Sequence, residues 1–307
     1  MGALPAGDAA IFRAATVGSQ SIVPGIWAGD QPQEYIGLQR AIVSGLTASM
    51  SGFTTWGSDV GGYATPPADD AELFVRWAQL GAVSPVMEVG GSGPNATPWT
   101  LGPAAMDGLR AAATLHYELF PYLYGVLRAR QPVLRPLGYG FPADPGSWSA
   151  TYEALVGPDL LAAPVTGPGT TPFVYLPPGH WVDLYTGATV TGPRSFARPT
   201  PLDQFPLYAR AGSVIPFNLR TKTATWWGVN DLSRSGRAGF LVTSGARVDL
   251  TGQPPRVQLF VPAPHRPARV TIDGKQVAWT WNAGPLPGAV IRLHGPAVHG
   301  TVVVSLS

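Results

Sequence analysis

The sequence predicts a mixed fold: an α/β segment followed by all-β segments. Three observations lead there. Residues 1–131 alternate short apolar runs with helix-spaced apolar patterns, the order that builds parallel strands. From about Pro132 the helical spacing stops, and short apolar runs alternate with Pro and Gly turns, the pattern of β-sandwiches. Apolar residues make up 45% of the 307 and charged residues 12%, which suits buried cores and excludes a disordered chain.

The elements follow in chain order. Short strands are expected around Phe12–Ala15, Ile22–Trp27, Gly52–Trp56 and Ser84–Val89. Ala71–Leu80 reads as a helix, with Asp69 and Asp70 placed to cap it. Asp107–Arg130 reads as a second, longer helix with Asp107 as its N-cap and a kink or break at Pro121. Residues 132–217 carry strand-like runs such as Asp159–Val165 and Phe205–Phe217, and residues 218–307 carry another set. Asp273-Gly274 between apolar runs signals a hairpin. The expected division is therefore 1–131, 132–217 and 218–307.

Several functional classes lack their key residues. The 20 basic and 18 acidic residues nearly balance, and Lys and Arg do not cluster as a nucleic-acid surface requires, so no nucleic-acid partner is expected. No apolar run reaches about 18 residues, so no membrane span is expected. The first ten residues lack the basic and apolar regions of a signal peptide; the compartment is left open. With no cysteine there are neither disulfides nor thiolate metal sites. The five histidines do not stand at metal-ligand spacing. A nucleophile elbow and a phosphate-binding loop lysine are also missing.

Two aspartates stand apart from the others, most of which sit in polar or Pro/Gly turns. Asp30 follows an apolar run ending at Trp27 and a small-residue turn. A carboxylate at a strand end is where barrels mount catalytic groups, and a nearby indole forms the apolar wall that keeps an acid protonated. The alternative is a loop aspartate capping the next helix. Asp59 lies in Gly57-Ser58-Asp59-Val60-Gly61-Gly62-Tyr63. A carboxylate between aromatics suits a sugar, whose C–H face packs on rings while its hydroxyls need polar partners. The alternative is a turn aspartate bonding its own backbone.

Taken together, Trp27-Ala28-Gly29-Asp30, Gly57 to Tyr63, Arg76-Trp77-Ala78-Gln79-Leu80-Gly81-Ala82 and Phe120-Pro121-Tyr122-Leu123-Tyr124 resemble the C-terminal half of glycoside hydrolase family 31. Gly157-Pro158-Asp159-Leu160-Leu161 and Tyr208 to Pro216 are similar to that family's proximal β-sandwich. The resemblance implies the C-terminal half of a (β/α)8 barrel at 1–131, a proximal β-sandwich at 132–217 and a distal β-sandwich at 218–307. It implies a retaining α-glycosidase that hydrolyses terminal α-linked glucose-like residues of oligosaccharides, with no metal or organic cofactor. Asp30 matches the acid/base, Trp27 an aromatic wall of the sugar subsite, Arg13 an arginine that bonds sugar hydroxyls, and Asp59 and Tyr63 a pocket carboxylate and aromatic.

Two departures qualify that picture. The family's nucleophile stands in a tryptophan-x-aspartate-methionine-asparagine-glutamate motif, and no such run occurs here. Retaining chemistry needs two carboxylates about 5–5.5 Å apart. The chain is therefore expected to be inactive without an N-terminal half, which becomes its expected protein partner. Second, Gly90 stands where family members place a histidine, and Glu88 stands near an arginine position, which opens transfer to a sugar acceptor as an alternative to hydrolysis. A different class also remains open: a non-catalytic carbohydrate-binding or structural β protein using Trp226 and Trp227.

Overall fold

A computed structural model of the chain describes residues 10–23, 25–64, 70–91, 97–218, 237–284, 286–295 and 300–307. Trp226 and Trp227 lie outside the described residues. The first part is a parallel sheet of β1 (Ile11–Phe12), β2 (Gly25–Trp27), β3 (Trp56–Asp59) and β4 (Val86–Glu88), paired in that order. Helices α1 (Tyr35–Met50), α2 (Ala71–Val83) and α3 (Pro103–Arg128) follow β2, β3 and β4. Strand alternation sends Ile26, Trp56 and Met87 into the core shared with the helices. The residues between them, Trp27, Gly57, Asp59 and Glu88, share the opposite face.

Helix α1 carries glycines at 37 and 45 and β-branched residues that disfavour helix on propensity alone. Packing accounts for both glycines. A Cβ on Gly37 would lie 2.0 Å from the carbonyl oxygen of Pro32, and one on Gly45 would press on the Trp56 ring at 3.1 Å. Helix α2 starts as expected, with Asp70 Oδ1 accepting from the Leu73 N–H at 3.0 Å. Its buried Arg76 donates to the carbonyls of Thr200 at 2.8 Å and Gln204 at 3.2 Å. Gln79 donates to those of Leu202 and Gln204. The Arg-Trp-x-Gln run thus ties α2 to a loop more than a hundred residues away, and buried donors of this kind are costly to leave unpaired.

Helix α3 differs from expectation at its start. It begins at Pro103, with Gly102 as N-cap, and Asp107 lies inside it paired with Arg110 at 2.6 Å. Proline is pre-organised for the first helical turn, so it outcompetes the later aspartate. The helix also runs unbroken through Pro121. Proline offers no N–H to the carbonyl of Tyr117. Asn218 supplies the missing donor: its side-chain amide reaches Tyr117 O at 2.9 Å, and its backbone N–H reaches Glu118 O at 2.7 Å.

Residues 134–210 form one six-stranded antiparallel sheet of β5 (Leu134–Pro136), β6 (Ala154–Val156), β7 (Leu160–Ala162), β8 (Phe173–Asp183), β9 (Thr189–Ala197) and β10 (Leu207–Arg210), ordered β5-β6-β7-β10-β8-β9. One face joins the helical core through Leu134, Val156, Leu160 and Leu207. The other packs Leu155, Leu161, Trp181 and Tyr208 together, near α4 (Leu137–Gly140) and α5 (Pro145–Ser149). Tyr122 of α3 fastens helix to sheet, donating to Val156 O at 2.8 Å and accepting from the Asp159 N–H at 2.9 Å.

The last part has two sheets. One contains β11 (Val214–Pro216), β12 (Arg237–Val242), β14 (Arg256–Pro262), β18 (Gly288–His294) and β17 (Trp279–Asn282) in that order. The other orders β13 (Arg247–Asp249), β19 (Thr301–Leu306), β15 (Val270–Ile272) and β16 (Lys275–Gln276). They enclose one core that includes Val248, Leu259, Ile291 and Val304. Strand β11 pairs with β12, so it joins this unit although it stands before residue 218. Asp273 and Gly274 both have positive φ, 51° and 75°, and turn β15 into β16 as the Asp-Gly signal predicts. Among the described residues, no helix is long and apolar enough to cross a membrane.

Candidate active site

All five residues singled out from the sequence cluster near the carboxyl ends of the parallel strands. Arg13 directly follows β1, Asp30 follows β2, Asp59 closes β3, and Tyr63 lies in the loop after β3. The loops carrying Asp30 and Tyr63 are sewn together by the Tyr63 and Ala64 N–H groups, which both donate to Gln31 O at 2.9 Å. Gly61 and Gly62 make the turn between Asp59 and Tyr63 with φ of 86° and 84°, a region glycine enters freely.

Asp30 and Arg13 form an ion pair, Nη2 to Oδ1 at 2.7 Å, with side chains 41% and 66% exposed. Asp59 is buried, and its Oδ2 accepts the indole N–H of Trp27 at 3.1 Å. The indole that the sequence suggests as a wall for Asp30 therefore donates to Asp59. Register explains this: Trp27 pairs with Gly57, and Asp59 is two residues further along the same face. Position 57 must be glycine for the indole to lie across β3, since a Cβ there would stand 2.7 Å from Trp27 Cζ3. Residues 57–59 are extended strand, with Gly57 paired to both β2 and β4 and Ser58 and Asp59 paired to β4, so Asp59 is a strand-end residue and the turn that the glycines permit comes after it.

Glu88 closes β4 and is the register partner of Asp59. A Cβ placed on Gly90 would lie 2.8 Å from Asp59 Oδ1 and 3.5 Å from Glu88 Oε1. Glycine at 90 thus leaves the room that lets the two carboxyl groups gather, and a histidine would collide with Asp59. Burial pushes the Asp59 carboxyl up from its ordinary value, the Glu88 and Asp30 charges push the same way, and the Trp27 N–H pulls it down. Among the described residues no group of three His, Asp or Glu side chains is placed to hold a metal.

Acids gathered at the carboxyl ends of a parallel sheet, beside an indole and an arginine, make a glycosidase-like arrangement. The comparisons agree. The model of the glycosyl hydrolases family 31 TIM-barrel domain matches residues 7–126, and that of the glycosyl hydrolase family 31 C-terminal domain matches residues 130–215. The chain belongs to glycoside hydrolase family 31, of which it carries a partial region.

Neutral alpha-glucosidase C of Mus musculus is 36% identical over 66% of this chain and 23% of its own length. Isomaltosyltransferase of Sporosarcina globispora is 32% identical over 70% of this chain and 21% of its own. The cycloalternan-forming enzyme from Listeria monocytogenes, solved in complex with a pentasaccharide substrate, superposes with a TM-score of 0.77 at 23% identity, over 97% of this chain and 33% of that one. The chain thus spans roughly a fifth to a third of these proteins.

Proposed function

We propose that this chain carries the acid/base half of a retaining α-glycosidase site acting on terminal α-linked glucose-like residues of oligosaccharides. The observation that supports it is the mounting of Arg13, Asp30, Asp59 and Glu88 at the carboxyl ends of successive parallel strands. In this reading the four strands are the second half of a (β/α)8 barrel. Residues 132–217 and 218–307 are its proximal and distal β domains. The second carboxylate comes from an N-terminal half, since no nucleophile motif occurs among the 307 residues.

Asp30 gives its proton to the leaving glycosidic oxygen as the glycosyl–carboxylate bond forms. It then takes a proton from the water that cleaves that bond. The Arg13–Asp30 pair is exposed on both sides, and such pairs are worth about 0–1 kcal/mol. A sugar can therefore draw Arg13 onto its hydroxyls and release Asp30 for proton transfer. Trp27 packs the sugar's C–H face while fixing Asp59, whose carboxyl meets the hydroxyls, and Tyr63 flanks them. A second reading, transfer to a sugar acceptor, is favoured by Gly90 and Glu88, which stand where the family pattern has a histidine and an arginine.

Hydrolysis of an aryl α-glucoside tests the proposal. The purified chain alone should be inactive. Adding a segment that bears the nucleophile motif should restore hydrolysis, and Asp30→Asn should abolish it. Hydrolysis by the chain alone would overturn the half-site reading. Restored hydrolysis that survives Asp30→Asn would overturn the acid/base assignment.

A further inference from the structure

The charge at the strand ends is one-sided. Asp30 follows β2, Asp59 closes β3 and Glu88 closes β4. Arg13, the basic group beside them, is paired with Asp30 at 2.7 Å. Among the described residues neither Asp59 nor Glu88 has a basic partner within ion-pair distance. The adjoining sequence offers none: residues 14–39, 57–75 and 86–109 contain no Lys or Arg. We propose that Asp59 and Glu88 select a cationic sugar, a glucose-like residue that carries a protonated amine. The proposal rests on the glycosidase reading above and names its substrate more closely.

The spacing of the two carboxyl groups suits one ammonium. A Cβ on Gly90 would lie 2.8 Å from Asp59 Oδ1 and 3.5 Å from Glu88 Oε1. Those oxygens are therefore at most about 6 Å apart, the span of two charge-assisted N–H···O bonds of about 2.7–2.9 Å each. Glycine at 90 puts no side chain between them. Trp27 and Asp59 share one face of the sheet, and the indole N–H holds Asp59 at 3.1 Å. A sugar whose C–H face lies on that indole thus has its polar edge beside the acid pair.

A neutral sugar leaves this pair unbalanced. Each hydroxyl has a single O–H to give, so it serves one carboxylate and cancels no charge. Two like charges this close make each other harder to ionise, and Asp59 shows the effect: burial pushes its carboxyl up, and the Glu88 and Asp30 charges add to that push. An ammonium brings three donors and the missing positive charge. Among the described residues no trio of His, Asp or Glu is placed to hold a metal ion, so an organic cation is the countercharge that the pair can take.

Titration of the folded 307-residue chain tests the assignment, read on the Trp27 indole ¹⁵N–¹H resonance, whose N–H is bonded to Asp59. The probes are methyl α-D-glucoside and its analogues with a free amine in place of each hydroxyl in turn. At least one amine should bind about tenfold tighter than the parent glucoside, and its N-acetyl form should lose that advantage. Ethanolamine, an amine without the ring, should bind far more weakly than that sugar. In Glu88→Gln the preference should fall to about twofold or less, and in Glu88→Arg it should reverse, since like charges in contact are penalised. A parent glucoside that binds as tightly as every amine would overturn the inference and leave the glycosidase reading standing. A preference that survives both Glu88 variants, or that ethanolamine matches, would overturn the assignment to this pair. No response to any sugar would overturn it too, with the glycosidase reading then judged by hydrolysis of the aryl α-glucoside.

Discussion

Replacing Glu88 with Gln should lower the pKa of Asp59. The two are register partners at the ends of β4 and β3. One point, the position of a Cβ on Gly90, lies 2.8 Å from one carboxyl oxygen and 3.5 Å from the other, so those oxygens are at most about 6 Å apart. Two unit charges at about 6 Å repel by about 3 kcal/mol at an effective dielectric near 20, and by under about 1 kcal/mol in water. Asp59 is buried, but Glu88 reaches solvent, which places the figure at about 1 kcal/mol, or a little under one pH unit. The Trp27 indole N–H, hydrogen-bonded to Asp59, is a built-in reporter. Its ¹⁵N–¹H resonance in the folded chain should follow the Asp59 titration. The midpoint should fall by about one unit in Glu88→Gln. It should move in the same direction in Asp30→Asn, because Asp30 acts on Asp59 with the same sign. A midpoint that stays put or rises in Glu88→Gln would refute the coupling.

Three further predictions concern stability. Glu153 is buried, with Oε1 accepting the Tyr175 N–H at 2.7 Å and Oε2 without a hydrogen-bond partner; burial pushes its carboxyl from 4.5 up to about 8. Between those values the folded state holds a proton that the unfolded chain has released, so its contribution is full below the lower value and is lost as pH rises through the upper one. Urea titrations should show wild-type stability falling relative to Glu153→Gln by about 1.4 kcal/mol per pH unit across that window; parallel curves would refute it. Asn218→Leu should cost about 1–3 kcal/mol, because it leaves the Tyr117 carbonyl beneath Pro121 without a donor; a shift of the urea midpoint measures it. Asp183 and Arg198 form a buried two-bond ion pair at 2.7 and 3.0 Å, so Asp183→Ala should cost about 3–5 kcal/mol by stranding the guanidinium. Asp183→Ala with Arg198→Met should recover part of that loss.

The α/β-then-β order, the Asp70 cap and the Asp-Gly hairpin were legible because each is a local signal, carried by residues a few positions apart. The candidate site was legible as five residue names, by resemblance of short motifs. Which side chain meets which was not: the indole goes to Asp59 because Trp27 stands opposite Gly57, and Glu88 faces Asp59 because β4 enters the sheet at one register. Nothing in either strand states that register, since alternation is the same for any even shift.

Distance along the chain hid other features for the same reason. The sequence by itself determined that Pro121 must leave a carbonyl without its helical partner. Only the tertiary structure decided that Asn218, 101 residues beyond Tyr117, would supply it and keep α3 whole. Residues 134–210 close into one sheet because α3 covers a face that a second sheet would otherwise have had to cover. Local chemistry sets what each segment needs, namely a partner for a carbonyl or a cover for an apolar face. The choice among distant groups that can meet that need belongs to the packed chain.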